Sequence, residues 1–139
     1  MFKLGKRSRK NMIGLKPSLA FAIEEAIKIS KQDFGILDGG GVRTQEYQDM
    51  LYAKGRTKSG KKVTWTRNSK HILGQAADLV AFKDGKPSWD KKLYKEIIKA
   101  MKIVIEKYDL DIDNGYDLWK KDLPHWQDTS TDYDIRKYK

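Results

Sequence analysis

Two histidines and one aspartate carry most of the chemistry that this 139-residue sequence can offer. The first histidine lies in Ser69-Lys70-His71-Ile72-Leu73-Gly74-Gln75-Ala76-Ala77-Asp78, seven residues before a carboxylate. The second lies in Asp122-Leu123-Pro124-His125-Trp126. The chain has no cysteine, so a thiolate site is excluded. Two imidazoles and one carboxylate are a ligand set that a catalytic zinc takes while keeping a fourth position for water. The same set also makes the facial triad of non-haem iron oxygenases. Against both stands the plain alternative, in which each histidine is structural or on the surface.

Geometry constrains the first pair. Ligand atoms on one zinc sit about 2 Å from the metal, hence within roughly 4 Å of one another. A helix would hold the Cα atoms of His71 and Asp78 about 10 Å apart along its axis. A strand would hold them about 23 Å apart and point them to opposite faces. The chain must therefore turn between them, and Gly74 is the residue that permits it. Beyond the turn, Ala77-Leu79-Val80-Ala81-Phe82 reads as a buried strand leaving the site.

The elements that must position these residues read as follows. Residues Met1–Leu15 form a basic lead-in. Pro17 suits a first helical position, and Leu19, Ala22, Ile23, Ala26 and Ile27 repeat at the spacing of an amphipathic helix ending near Ser30. Phe34–Leu37 reads as a short strand, broken by Asp38-Gly39-Gly40-Gly41. Thr44 caps a second helix over Gln45–Ala53, with Tyr47, Met50 and Leu51 inward and Gly55 stopping it. Gly55–Asn68 is a polar loop, with Val63–Thr66 extended, and Asp84-Gly85-Lys86-Pro87 is a turn. Ser88 caps a third helix whose apolar stripe is Leu93, Ile97, Met101, Val104, Ile105 and Tyr108. Leu110–Ile112, a turn at Asn114-Gly115 and the segment Leu118–Gln127 complete the chain. The fold class is α+β, one domain over residues 1–139, with about three helices packed on a small antiparallel sheet.

Composition narrows the partners. A hydrophobic content of 39% supports a folded core, and no apolar run approaches the ~20 residues of a membrane span. Leu19–Ile23 is too short for a signal-peptide core, which predicts an unprocessed product of the cytoplasm. The formal charge of +10 predicts attraction to a polyanion: nucleic acid, an anionic membrane or an acidic cell wall. No RNP-like strand, zinc-finger spacing or helix-turn-helix pair points to a specific nucleic acid. The alternatives for the charge are a solvated basic surface and a non-enzymatic envelope- or nucleic-acid-binding module.

With these residues in place, the chain resembles the zinc D-alanyl-D-alanine carboxypeptidase/dipeptidase superfamily. The pattern is Ser-x-His-x-x-Gly-x-Ala-x-Asp, met at Ser69, His71, Gly74, Ala76 and Asp78, followed by Asp122-x-x-His125-aromatic. Gly41-Val42-Arg43-Thr44, Gly55-Arg56-Thr57, Gly60-Lys61 and Val63-Thr64 are similar to stretches of its phage branch, endolysins that cut L-alanyl-D-glutamate bonds. The resemblance covers about Lys6 to Gln127. It implies a hedgehog-like, DD-peptidase fold with one zinc per chain on the sheet, held by His71, Asp78 and His125. It further implies Asp122 as general base, Arg43 polarising the substrate carbonyl and Ser69 helping to hold substrate; Trp126 is expected to wall the site. The activity implied is peptidoglycan hydrolysis, either of the L-alanyl-D-glutamate bond during host lysis or, as in the wider superfamily, of a terminal D-alanine. A monomer is expected, made in the host cytoplasm and released onto the wall, without a separate wall-binding domain. One departure from the branch stands out: many endolysins carry Gly-Asp-Trp before the base, whereas this chain has Gly115-Tyr116-Asp117-Leu118-Trp119.

Overall fold

Pro17 opens the first long helix, where its missing N–H costs nothing and its fixed φ suits the first turn. That helix, α2, runs over Pro17–Ile29 and buries Leu19, Ala22, Ile23, Ala26 and Ile27, the residues whose spacing predicts it. A short helix precedes it, α1 over Lys6–Asn11, in the stretch read as a basic lead-in. The computed structural model describes residues 1–61 and 69–129. Among the described residues three more helices follow: α3 over Gln45–Ala53, α4 over Lys91–Lys107 and α5 over Gly115–Trp119. Six short strands form two antiparallel sheets among the described residues, and the expected extension at Val63–Thr66 falls outside them.

The first sheet has the order β1 (Phe34–Gly35), β3 (Val80–Lys83), β4 (Lys86–Ser88). The second has the order β2 (Ala76–Asp78), β6 (His125–Asp128), β5 (Ile112–Asn114). The apolar run after the turn is therefore two strands and not one. Asp78 ends β2 in one sheet, and Val80 begins β3 in the other. Between them the Leu79 N–H leaves both ladders and donates to the Pro124 carbonyl at 2.9 Å. Asp84 and Gly85 connect β3 to β4 with φ of 53° and 77°, the left-handed pair of a two-residue hairpin turn.

The core lies between α2, α4 and the sheets. Tyr94, Ile97, Ala100, Met101 and Val104 of α4 are buried, and α4 packs against α2. Each fully buried large apolar side chain contributes about 1.5–3 kcal/mol. Tyr94 sits one residue off the expected stripe. Its hydroxyl earns burial by accepting from the Ala81 N–H at 3.2 Å and donating to the Ser88 carbonyl at 2.8 Å, tying α4 to the hairpin. Tyr108, expected inward, is 41% exposed. The cap of α4 is Asp90 and not Ser88; its carboxylate accepts from the Lys92 N–H at 3.1 Å. Thr44 does cap α3, accepting from the Tyr47 N–H at 3.1 Å. The inward face of α3 differs from the expectation, however: Tyr47 and Met50 are exposed, and the buried residue is Gln48.

Gly74 makes the turn demanded between His71 and Asp78. Its φ is +70°, and a side-chain carbon there would run into the Gly14 carbonyl. The neighbouring Gly74 carbonyl accepts from the Lys16 N–H at 2.9 Å, which fixes the turn against the start of α2. A Gly74→Ala variant combines a left-handed alanine with an overpacked contact. It should lose about 2–4 kcal/mol of unfolding free energy in a denaturant titration. A loss under half a kcal/mol would show that the turn is not forced.

Candidate active site

The two histidines, 54 positions apart in the chain (125 − 71), meet in the fold. Antiparallel pairing of β2 with β6 sets Asp78 directly opposite His125. The turn at residues 69–74 then swings His71 back to them, with imidazole centroids 5.3 Å apart. One ligand atom from each of His71, Asp78 and His125 lies within 4.8 Å of the others. Both histidines are buried, at 2% and 7% exposure.

The proton positions decide what this cluster offers. Nδ1 of His71 lies 2.8 Å from the Gly41 carbonyl, which can only accept. Nδ1 therefore carries the hydrogen, and Nε2 turns its lone pair toward Asp78 Oδ1, 3.4 Å away. His125 is reversed: its Nε2 faces Gln127 Oε1 at 2.9 Å, and its Nδ1 faces the same Asp78 Oδ1 at 3.1 Å. Two imidazole lone pairs and a carboxylate oxygen thus converge on one point. Such a set suits a bound cation, with each histidine oriented by an oxygen acceptor on its far side.

The charges respond to this crowding. Burial opposes ionisation of Asp78, but a proton taken up on the inward nitrogens of His125 and His71, in the place a cation would take, outweighs it and holds the carboxyl well below the usual range. Burial likewise disfavours a charged His125, and Asp78 outweighs it, so the imidazole pKa is raised. The second oxygen of Asp78 accepts from Arg43 Nη2 at 3.3 Å. Asp122 is raised above its ordinary value, first by desolvation and then by the negative charge of Asp78.

Three loops converge to build the site. The Gly39–Arg43 segment is stitched to the ligands through Asp78 N–H to Gly40 carbonyl at 2.7 Å and Arg43 N–H to His71 carbonyl at 3.0 Å. Gly41 packs so closely on the Asn11 carbonyl that no side chain fits there. Asn11, at the end of α1, donates to the Ile36 carbonyl at 2.9 Å and to Asp38 at 3.0 Å, which gives the basic lead-in its role. Gly115 backs the third loop, where a side chain would strike the Asp122 carbonyl. Together these walls enclose a cleft of about 920 Å³ that contains His71, Asp78, His125, Asp122, Arg43 and Ser69.

Over residues 1–135 the chain matches the family described as phage L-alanyl-D-glutamate peptidase. The chain belongs to that family. It is 33% identical over 89 residues to the L-alanyl-D-glutamate peptidase of Escherichia phage T5, a match covering 64% of this chain and 61% of that protein. The chain thus spans about three fifths of the length of this curated relative. Its fold is similar to the crystal structure of the Serratia marcescens L-Ala D-Glu endopeptidase ChiX, with 29% identity and a TM-score of 0.78. That likeness covers 94% of this chain and 93% of the other.

Of the residues expected at the site, the fold brings six together in the cleft and withdraws one. Trp126 does not wall it: the side chain is 0% exposed and belongs to the core cluster. Strand alternation is the reason, since His125 and Gln127 share one face of β6 and Trp126 takes the other. The aromatic wall is Trp119, whose ring lies 5.1 Å from that of His125, with Trp89 also at the cleft. Ser69 lies in the cleft, and its hydroxyl accepts from the His71 N–H at 3.1 Å, fixing the turn. Arg43 is largely held by the protein, donating to the Gly39 carbonyl, to Gln48 Oε1 at 3.1 Å and to Asp78.

The sequence reading missed Gln127 and Gln48. The signal for Gln127 was its i+2 spacing from His125 in a strand-like segment; Gln48 had no signal, because its role depends on where Arg43 folds. Gln127→Leu removes the acceptor that orients His125 and should weaken divalent-metal affinity about 10–100-fold by calorimetric titration. Unaltered affinity would show that the His125 tautomer is set elsewhere.

Proposed function

We propose that this chain is a zinc endopeptidase that hydrolyses the L-alanyl-D-glutamate bond of peptidoglycan stem peptides, as a phage endolysin in host lysis. The observation that carries the reading is the convergence of inward lone pairs from His71 and His125 on Asp78, inside a cleft that also holds a carboxyl of raised pKa. The phage T5 and Serratia marcescens proteins to which the chain is similar both carry the name of that bond.

One zinc per chain would be held by Nε2 of His71, Nδ1 of His125 and Asp78. When bound, zinc supplies Lewis acidity for the scissile carbonyl and brings the pKa of water to about 7. The protein's own groups do the rest. Asp122 takes a proton from the attacking water and delivers it to the leaving nitrogen, and its raised pKa moves it toward the range where one group serves both steps. Arg43 holds Asp78 from behind and lines the cleft, where its positive charge would polarise the carbonyl oxygen. Trp119 packs against His125 with ring centroids 5.1 Å apart and forms an aromatic wall of the cleft. A cleft of about 920 Å³ is near the upper end of small-ligand pockets, room for several peptide residues.

The remainder of the reading concerns the envelope. The excess of 29 basic over 19 acidic residues draws the enzyme to an anionic wall. The polypeptide is synthesised in the host cytoplasm and acts as a monomeric catalytic domain once it reaches peptidoglycan. No helix among the described residues is long and apolar enough to cross a membrane.

Mass spectrometry of digested muropeptides tests the bond. The expected products carry a new free amine on D-glutamate and keep their terminal D-alanine. Release of D-alanine alone would overturn the assignment. In the same assay, Asp122→Asn should lower kcat by about 10²–10⁴ while zinc content stays at one per chain; a variant of undiminished kcat would remove Asp122 from the mechanism.

A further inference from the structure

The segment between α5 and β6 is held in an unfavourable backbone conformation. Lys120 and Asp122 both have positive φ, 59° and 67°, although neither is glycine. The left-handed region is unfavourable for a residue with a side chain and persists only where the surroundings fix it. The fixing contacts are present. The Lys120 N–H closes α5 on the Tyr116 carbonyl at 2.7 Å, and the His125 N–H closes the next turn on the Asp122 carbonyl at 3.2 Å. Asn114, 1% exposed, donates from one amide nitrogen to the carbonyls of Leu123 at 2.8 Å and His125 at 3.1 Å. Gly115 packs under Asp122 from below.

The two left-handed residues flank Lys121. This lysine is exposed and lies at the cleft, directly before Asp122 in the chain. Its situation differs from that of Arg43, whose guanidinium is engaged by Gly39, Gln48 and Asp78. It differs too from its neighbour Lys120, whose ammonium lies over the Tyr116 ring at 5.7 Å. The pinned loop thus sets a cation beside the acid that protonates the leaving nitrogen.

We infer that Lys121 determines specificity by binding the free α-carboxylate of the D-glutamyl residue on the leaving side of the cut. The inference rests on the bond assignment proposed above. In an L-alanyl-D-glutamate bond the carbon bearing the scissile nitrogen also bears the α-carboxyl, and stem peptides continue through the γ-carboxyl. A negative charge therefore sits three bonds from the atom that receives the proton of Asp122. Asp78 is already matched by Arg43 and by the metal it would hold, so on the leaving side that charge faces Asp122. Lys121 answers it with a charge-assisted hydrogen bond, which is worth more than a neutral one. An α-carboxamide at the same position gains nothing from the ammonium.

The test uses the zinc-loaded full chain and two synthetic stem peptides, identical except for an α-carboxylate or an α-carboxamide on D-glutamate. The wild type should cut the carboxylate peptide with the higher kcat/KM, by roughly 10-fold or more, the worth of one hydrogen bond to a charged group. Lys121→Gln should bring the two values together by losing rate on the carboxylate peptide, and Lys121→Arg should keep the preference. A wild type indifferent to the amide, or a Lys121→Gln variant that loses both activities in proportion, overturns the inference and leaves the bond assignment standing. A wild type that cuts neither peptide between alanine and glutamate overturns the bond assignment, and the inference with it.

Discussion

A backbone carbonyl that can only accept a hydrogen bond decides what this site can do. Gly41 takes the Nδ1 hydrogen of His71, so the opposite nitrogen must face inward with a lone pair. His125 is turned the other way by Gln127, and Asp78 places one oxygen between the two rings. Three electron-rich atoms are thereby held together in a largely buried place, an arrangement that costs several kcal/mol unless positive charge joins it. The field that favours a cation at this point also favours a proton, and the same physics lowers Asp78 and raises His125. Arg43 supplies part of the compensation from behind, on the other carboxylate oxygen.

Such a cluster needs a scaffold that resists collapse, and each ligand is fixed by a different device. Asp78 and His125 are set by strand register, so a slip of one residue would send both to the core face. His71 is set by a turn with Gly74 at its end and Ser69 at its start. The oxygen acceptor for His71 is set by the glycine loop, which α1 props through Asn11. Asp122 comes from the strained segment ahead of β6, stapled by Asn114. The small residues of the site, Gly41, Gly74 and Gly115, all stand where backbone from another segment passes too close for a side chain.

Much of this was legible in the residues, and the misses share a cause. The turn between His71 and Asp78 followed from ligand distance alone, and α2 and α3 followed from periodicity and capping residues. Three readings went astray because they took local pattern as final. The apolar run from Ala77 to Phe82 looks like one strand, yet it serves two sheets, a division visible only through the partners β6 and β1. Trp126 is adjacent to a site histidine, yet pairing through β6 turns it to the core. Asn114-Gly115 resembles a hairpin turn, but Asn114 instead ends β5 and caps α5 through the Tyr116 N–H at 3.1 Å. Gln48 as the buried face of α3 was beyond reach, since its partner Arg43, which donates to Gln48 Oε1, is brought to it by the fold of the preceding loop.

The claim on which the rest depends is that specific nitrogens, not merely specific histidines, bind one metal. Anomalous diffraction at the zinc edge from crystals of the zinc-loaded protein measures this directly. The account predicts a single strong peak bonded to Nε2 of His71, Nδ1 of His125 and a carboxylate oxygen of Asp78, with distances near 2.0–2.2 Å. A peak lying on other residues, or on Nε2 of His125 with Gln127 displaced, would contradict it.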